Sequence, residues 1–236
     1  MINRIYKMLV LFLGVSLSTL AQQADSATYL STLKQELTTQ WPKNRTINLV
    51  FHGHSVPAGY WHDHEVHTLE SYPNLLLAKL KKQYPYAVIN VIVTAIGGEN
   101  SIKGQTRFEQ DVLVHKPDVL FIDYALNDRF SDIGKVKEAW ASMIQTALAK
   151  NIKVILLTPS PDQRLDILDA TNPLEPHVQQ IHQLANQNHI GIADPYSKFK
   201  QIAKRGELTN YMSHVNHPNK AGHEIIADEI LKWFTN

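Results

Sequence analysis

The sequence predicts an α/β fold in which helices cover both faces of a parallel sheet of five strands. Short apolar runs rich in β-branched residues recur along the chain, and stretches with helical periodicity separate them. The chain has 236 residues, 44% of them hydrophobic, which suits one domain with a sizeable core. No internal repeat or low-complexity linker divides it. We therefore expect a single domain over residues 22–236.

The first 21 residues have the pattern of a signal peptide. Arg4 and Lys7 form a basic start, and residues 8–20 are an apolar run that is too short to span a bilayer comfortably. Small side chains up to Ala21 suit a cleavage site, so the mature chain is expected to begin near Gln22. An uncleaved anchor is the alternative. We expect an exported protein, periplasmic or secreted, with no stable membrane insertion after cleavage.

The charge balance limits the possible binding partners, and the cysteine content limits the covalent bonds that can stabilise the fold. Of the 23 basic residues, Arg4 and Lys7 leave with residues 1–21, so 21 remain against 22 acidic residues, a formal charge of −1. This balance gives no electrostatic indication of a nucleic acid or an anionic membrane as partner. Without any cysteine, the fold depends on its core rather than on disulfides. No cofactor is indicated, and the oligomeric state stays open.

The first predicted strand ends in a tight turn that presents a serine. Residues 47–52 are mostly apolar, and Gly53 then permits a turn that a Cβ would hinder. Ligands of open α/β sheets bind beyond the carboxyl ends of the strands. Ser55 is therefore a candidate nucleophile. The alternative is a serine that caps the next helix.

The remaining elements follow the same pattern. Further strands are predicted at residues 87–93, 118–124, 153–158 and 190–193. Helices are predicted within residues 22–44, from Pro73 to about 84, over residues 133–149, from Asn172 onward, and from about 219 to 234. The first helix carries Leu30, Leu33, Leu37 and Trp41 on one stripe and is expected to end at Pro42. Residues 56–70 are predicted to form a loop.

Three of the strands end in residues that could serve one acyl-transfer reaction. Ser55 follows the first strand, Gly97 and Gly98 the second, and Asn127 the third, while His217 precedes the last helix. A serine needs a base, usually histidine, to become a nucleophile near neutral pH. A tetrahedral intermediate needs donors aimed at its oxygen, each typically worth roughly 100- to 1,000-fold in turnover. The set therefore indicates hydrolysis through an acyl-enzyme.

In this order the residues resemble the four signature blocks of the SGNH, or GDSL-type, serine hydrolases. The matching stretches are Gly53-His54-Ser55, Gly97-Gly98-Glu99-Asn100-Ser101, Ala125-Leu126-Asn127-Asp128 and His217-Pro218. The resemblance implies a three-layer α/β/α, flavodoxin-like sheet and an esterase. It implies Ser55 as nucleophile, His217 as base, and an oxyanion hole made by the amides of Ser55 and Gly98 and the side chain of Asn127. Gly97 is the alternative to Gly98.

Three positions depart from the pattern of the family. His54 stands where aspartate is common, and Ala125 stands where glycine is common. His214 stands three residues before His217, where aspartate is usual. An imidazole cannot orient and stabilise another imidazole as a carboxylate does. Either a backbone carbonyl or another acid, Asp162 or Asp194, orients His217, or the site is a Ser-His dyad. We favour the dyad.

Other polar and aromatic residues near these blocks leave alternatives open. Tyr60 and Trp61 could line an acyl pocket or stack on a sugar, and core packing is equally compatible with the sequence. Histidines and acids at residues 62–67 suit zinc by type, but no helix register places three of them on one face, so no metal is predicted. Glu99 either pairs with Arg107 or binds substrate. Arg129 either contacts an anionic or hydroxyl-rich substrate or forms a surface salt bridge.

The sequence thus predicts an exported serine esterase whose partner is a small-molecule or carbohydrate ester. We favour O-deacetylation of a carbohydrate, by analogy with the family. One alternative is a lysophospholipase or acyl-thioesterase of the same family, which would need a long apolar groove. The other is a catalytically silent carbohydrate-binding protein on this fold, an interpretation that is supported by His214 at the position of the usual aspartate.

Overall fold

The computed structural model describes residues 22–62 and 64–235 and confirms the predicted α/β fold. Its strands are Thr46–Gly53 (β1), Val88–Val93 (β2), Val119–Asp123 (β3), Lys153–Leu157 (β4) and Gly191–Ala193 (β5). They form one parallel sheet in the order β2-β1-β3-β4-β5. The predicted signal peptide lies outside the described residues.

Ten α-helices are assigned within the described ranges. They are Ser31–Leu37 (α1), Ser55–Ala58 (α2), Tyr72–Gln83 (α3), Ser101–Thr106 (α4), Phe108–Asp111 (α5), Ala125–Asp128 (α6), Ile133–Leu148 (α7), Glu175–Asn188 (α8), Pro195–Ala203 (α9) and Lys220–Leu231 (α10). Short 3-10 turns lie at Thr68–Glu70, Leu113–His115 and Leu208–Tyr211. Within the part of the chain that the structure describes, no helix is long and apolar enough to cross a bilayer.

Alternate residues of the central strands face two separate hydrophobic layers. In β3, Val119 and Phe121 pack with α1, α3, α9 and α10, whereas Leu120 and Ile122 pack with α5, α7 and α8. All of β3 is buried, as expected for a strand covered on both faces. The sheet is therefore the middle layer of three, as predicted.

The observed boundaries differ from the predicted ones where the sequence signal is weak. The helix α1 ends at Leu37 rather than at Pro42, and Trp41 is 83% exposed instead of continuing the apolar stripe. The helix α8 begins at Glu175, and Asn172 precedes it in a turn where its Oδ1 accepts the Leu174 amide at 2.9 Å. The predicted loop at residues 56–70 contains most of the short helix α2 and a 3-10 turn.

The sheet order places the important strand ends together. The chain runs from β1 to the edge strand β2 and then to β3 on the other side of β1. Loops that leave β1 and β3 in opposite directions open a crevice at the carboxyl edge of the sheet, where ligands of such folds bind. Ser55 and Asn127 follow these two strands.

Candidate active site

The turn after β1 is shaped by Gly53, which lies against the end of β3. A Cβ on Gly53 would come within 2.5 Å of the Asp123 carbonyl oxygen, so no side chain fits there without backbone movement. His54 follows with its side chain buried, and its Nδ1 accepts the Val56 amide at 3.2 Å. Ser55 then opens α2 with its side chain partly accessible. The turn thus directs one hydroxyl toward the crevice.

Ser55 and His217 are in contact although 162 residues separate them. The Ser55 Oγ lies 2.9 Å from the His217 Nε2. His217 is carried by the loop before α10, and its carbonyl accepts the amides of Ser213 and His214 at 2.9 and 3.2 Å. These bonds fix the backbone of the turn that carries the ring, and the Nε2–Oγ contact is the arrangement by which a histidine can activate a serine.

The imidazole of His217 is held in its neutral form. Burial, with repulsion from His54 and His214 adding to it, lowers the pKa of His217 to about 4. Near neutral pH its Nε2 is therefore free to accept a proton from Ser55. Its Nδ1 then carries a hydrogen, which has no hydrogen-bond partner among the described residues.

Neither of the two acids suggested by the sequence contacts His217. Asp194 caps α9 and bonds Thr158 and Ser197, and Asp162 is engaged by two arginines. His214 is exposed and meets the His217 loop through its backbone. Within the described residues the geometry is that of a Ser-His pair without a third member.

The predicted oxyanion donors lie on three loops that are bonded to one another. The Ile96 amide donates to the Gly53 carbonyl at 3.0 Å, and the Asn127 Nδ2 donates to the Glu99 carbonyl at 2.9 Å. Gly98 has a φ of 76°, in the left-handed region that favours glycine. Its amide, like that of Gly97, has no acceptor in the described part of the chain. Asn127 keeps a second Nδ2 hydrogen for a substrate oxygen.

A buried network beneath the serine turn was not predicted from the sequence. His54 Nε2 faces Asp123 Oδ1 at 3.4 Å, and the Tyr72 hydroxyl donates to Asp123 Oδ2 at 3.0 Å. Gly53 and Asp123 are register partners in β1 and β3, which brings the next residue, His54, to the carboxylate. The sequence feature that could have indicated this network is Asp123, an acid at the end of the otherwise apolar β3. This network holds His54 at the position where the family usually has aspartate.

A second network, behind the Gly97-Gly98 loop, decides the role of Glu99. Both Glu99 carboxylate oxygens accept from Arg107 Nε, at 2.9 and 3.0 Å, and Tyr124 donates to Glu99 at 2.9 Å. His52 completes the cluster, since its Nε2 lies 3.1 Å from the Tyr124 hydroxyl. Glu99 is buried. Of its two predicted roles, the pairing with Arg107 is therefore the one observed.

The aromatic residues after Ser55 form one wall beside the oxyanion loop. The Tyr60 ring lies 3.3 Å from the point where a Cβ of Gly97 would be, and Tyr60 is 36% exposed. Trp61 stacks on His67 with ring centroids 3.9 Å apart. No group of three or more metal-ligating side chains is found within residues 22–62 and 64–235. Tyr60 thus lies beside the Gly97 loop with part of its ring exposed, whereas the ring of Trp61 is engaged by His67.

The model of the GDSL-like lipase/acylhydrolase family matches residues 51–225. This range includes Ser55, Gly98, Asn127 and His217. A search of curated protein sequences found no match.

Several solved structures share the fold. A two-domain esterase active on acetylated mannans gives a TM-score of 0.73 at 20% identity, covering 91% of this chain and 54% of that one. The chain thus spans about half the length of that protein. An acetylxylan esterase from Geobacillus stearothermophilus gives 0.67 at 21% identity, covering 80% and 94%. The acetyl xylan esterase AlAXEase gives 0.67 at 24%, covering 78% and 98%. At such identities the likeness establishes the fold.

Proposed function

The chain belongs to the GDSL-like lipase/acylhydrolase family, and from this premise we propose that it is a serine esterase that removes acetyl groups from a carbohydrate. The observation that carries the proposal is the 2.9 Å contact between Ser55 Oγ and His217 Nε2 at the carboxyl edge of the sheet.

In the proposed acylation step, Ser55 Oγ attacks the ester carbonyl carbon while its proton moves to His217 Nε2. The carbonyl oxygen becomes an oxyanion that accepts from the amides of Ser55 and Gly98 and from the free Nδ2 hydrogen of Asn127. When the intermediate collapses, the sugar hydroxyl leaves with the proton of His217, and an acetyl ester of Ser55 remains.

Deacylation repeats the same steps with water as the nucleophile. His217 takes a proton from water, the hydroxide attacks the acetyl carbon, and acetate leaves as Ser55 regains its proton. Because no carboxylate faces the Nδ1 of His217 within the described residues, the imidazolium formed in each step is stabilised less than in a triad. The backbone bonds of the 213–217 loop fix the ring instead.

The choice of acetylated carbohydrate as substrate is supported by the proteins with the same fold, which are esterases for acetylated mannans and xylans. The exposed Tyr60 ring beside Gly97 supports it further, since an aromatic face at the edge of a site suits stacking on a sugar.

The test is hydrolysis of p-nitrophenyl acetate and of acetylated xylo- and manno-oligosaccharides by the chain from Gln22. Ser55→Ala and His217→Ala should each lower kcat by roughly 1,000-fold or more. Ser142→Ala, which changes an exposed serine on α7, is the matched control and should retain wild-type turnover. Circular dichroism shows whether each variant is folded.

Three outcomes would contradict the proposal. Full activity in a folded Ser55→Ala variant would show that the nucleophile lies elsewhere. A strong preference for esters of long acyl chains would favour a lysophospholipase or thioesterase. A folded wild type that is inert on every ester but binds the sugars would be a carbohydrate-binding protein.

Export is a further part of the proposal, supported by the basic start and the apolar run at residues 8–20. Expression of the full chain, followed by N-terminal sequencing of exported protein, should give a start near Gln22.

A further inference from the structure

A pocket beside the proposed catalytic residues contains more positive than negative charge. It has a volume of about 320 Å³ and is lined by Arg129, Phe130, Asp162, Arg164, Leu165 and Pro173. Such a volume is at the lower end of small-molecule sites, roughly 300–1,000 Å³. Two guanidinium groups meet one carboxylate there, which leaves a formal charge of +1.

The pocket is joined to the catalytic residues on two sides. Arg129 directly follows α6, two residues after Asn127. The Gln163 amide donates to the Val215 carbonyl at 2.6 Å, and Gln163 Nε2 donates to the His214 carbonyl at 3.2 Å, so the loop of Asp162 is bound to the loop of His217. The pocket is therefore built on the loops that adjoin Asn127 and His217.

The arginines retain hydrogen-bonding capacity after they have bound Asp162. Arg129 Nη2 pairs with Asp162, but its Nη1 has no partner in the described residues, although the side chain is only 5% exposed. Arg164 Nε bonds Asp162 Oδ1 at 2.9 Å, and the Arg164 side chain is 57% exposed. A buried N–H without an acceptor is unfavourable, whereas a guanidinium fork bonds a carboxylate particularly well. Because Arg129 Nη1 is itself buried, the guanidinium that an incoming anion meets first is that of the exposed Arg164, and its positive charge suits an anionic acceptor.

The wall of the pocket also offers an apolar surface for a sugar ring. Phe130 is 76% exposed, and the Arg129 guanidinium carbon lies 4.5 Å from the centre of its ring. Two other acids of the same loop, Asp166 and Asp169, accept hydrogen bonds from Leu168 and Thr171 and do not line the pocket. Among the residues that the structure describes, no second carboxylate lines the pocket to offset its excess positive charge.

We propose that this pocket binds the carboxylate of an acidic sugar, so that the enzyme prefers acetyl esters on uronate-containing carbohydrates. The preference in turnover rests on the proposed esterase function, whereas the binding of the carboxylate does not.

The test compares acetylated oligogalacturonides that carry free carboxylates with the same oligosaccharides after methyl esterification. The wild type should show a kcat/KM about tenfold higher for the free acids, and added salt should reduce this ratio. Arg164→Gln should lower the ratio several-fold, and Arg129→Lys, which loses the guanidinium fork, should lower it as well. Arg205→Gln is the matched control, since Arg205 is similarly exposed, at 55%, but lies outside the pocket. It should leave the ratio unchanged.

A binding measurement separates this inference from the proposed function. Calorimetry with the Ser55→Ala variant gives the Kd for the free-acid and the methyl-esterified oligosaccharides without turnover. Tighter binding of the free acid, lost in Ser55→Ala/Arg164→Gln, supports the subsite even if the wild type hydrolyses no ester. Equal Kd values together with equal kcat/KM values overturn the subsite, even if acetylated sugars are hydrolysed.

Discussion

At the scale of single residues, His217 combines a low pKa with the absence of a bonded carboxylate among the described residues. Burial and two histidine neighbours lower its pKa to about 4. A general base acts in its neutral form, so the acid limb of kcat/KM should lie near pH 4 rather than near 6.5. We predict that at pH 5.5 the enzyme retains most of the kcat/KM measured at pH 7. Acetate release between pH 3.5 and 8 measures this profile.

The variant His214→Asp tests the cause of this low pKa. It removes a positive neighbour and adds a carboxylate at the position that the family commonly uses, so it should move the acid limb to higher pH. His189→Asp, which changes an exposed histidine at the end of α8, should leave the limb in place. An acid limb near pH 6.5 in the wild type, with circular dichroism showing that the protein is folded, would contradict the lowered pKa of His217 as the origin of the limb.

The sequence predicts which functional residues meet, but not what supports them. Ser55 and Asn127 end adjacent strands, and the contact of Ser55 with His217 follows the family pattern; their catalytic roles stay predictions. The pairing of His54 with Asp123 depends on the β1–β3 register, which no local pattern reveals. Neither Asp162 nor Asp194 contacts His217, because the position of a residue in the sequence does not show where its side chain points.

At the scale of elements, the short helix α4 packs directly on Tyr124, the residue that follows β3. A Cβ on Gly104 would lie 2.2 Å from the Tyr124 hydroxyl oxygen. Tyr124 is fully buried and bonded to Glu99, so it cannot move aside cheaply. Gly104→Ala should therefore lower the free energy of unfolding by about 2–3 kcal/mol. Urea denaturation measures the change.

Gly134→Ala on α7 provides the comparison. Its Cβ would meet only the flexible Asp132 side chain, at 3.1 Å, and we expect a change below about 1 kcal/mol. Equal effects of the two substitutions would show that Tyr124 adapts and that the tight contact is unimportant.

Strands were easier to predict than short helices. Each observed strand agrees with its predicted range to within one residue at either end, because a buried parallel strand is a continuous apolar run. The helices α4 and α5 have six and four residues, too few to show a helical period. They are specified by tertiary contacts, such as the Ser101 amide donating to Asp128 Oδ1 at 2.8 Å.

At the scale of the whole molecule, buried histidines couple the stability of the fold to pH. Burial lowers the pKa of His52 to about 4, with Arg107 adding to the effect. It lowers that of His223 to about 3, with His217 adding to it. Near pH 5 the unfolded chain therefore binds protons that the folded chain does not. The contribution of these two histidines to the free energy of unfolding is fully present above about pH 6.5 and is lost as the pH falls toward 4.

We predict that the free energy of unfolding falls with decreasing pH in this window, by up to about 2.7 kcal/mol per pH unit from these two histidines. Urea midpoints at pH 7, 5.5 and 4.5 measure the slope. His223→Gln should remove about half of this slope, which is the contribution of one proton. His189→Gln, at an exposed site, should leave the slope unchanged. A midpoint that is constant over this range would contradict the prediction.

The layer order of the molecule was predictable because alternating strands and helices leave few arrangements for a parallel sheet. The Arg129–Asp162–Arg164 cluster, in contrast, could not be predicted from the sequence. Its members come from loops after different strands, and the sequence suggested a surface salt bridge for Arg129, whereas its side chain is buried.

The 162-residue separation between Ser55 and His217 has a consequence for the life of the chain. During synthesis the proposed nucleophile emerges long before the proposed base, and the sheet between them must be assembled before the two can touch. We therefore expect an incomplete or unfolded chain to carry an ordinary serine without esterase activity. If the proposed pair carries the reaction, esterase activity reports on completed folding, and a chain that is still unfolded needs no separate inhibitor to keep it inactive.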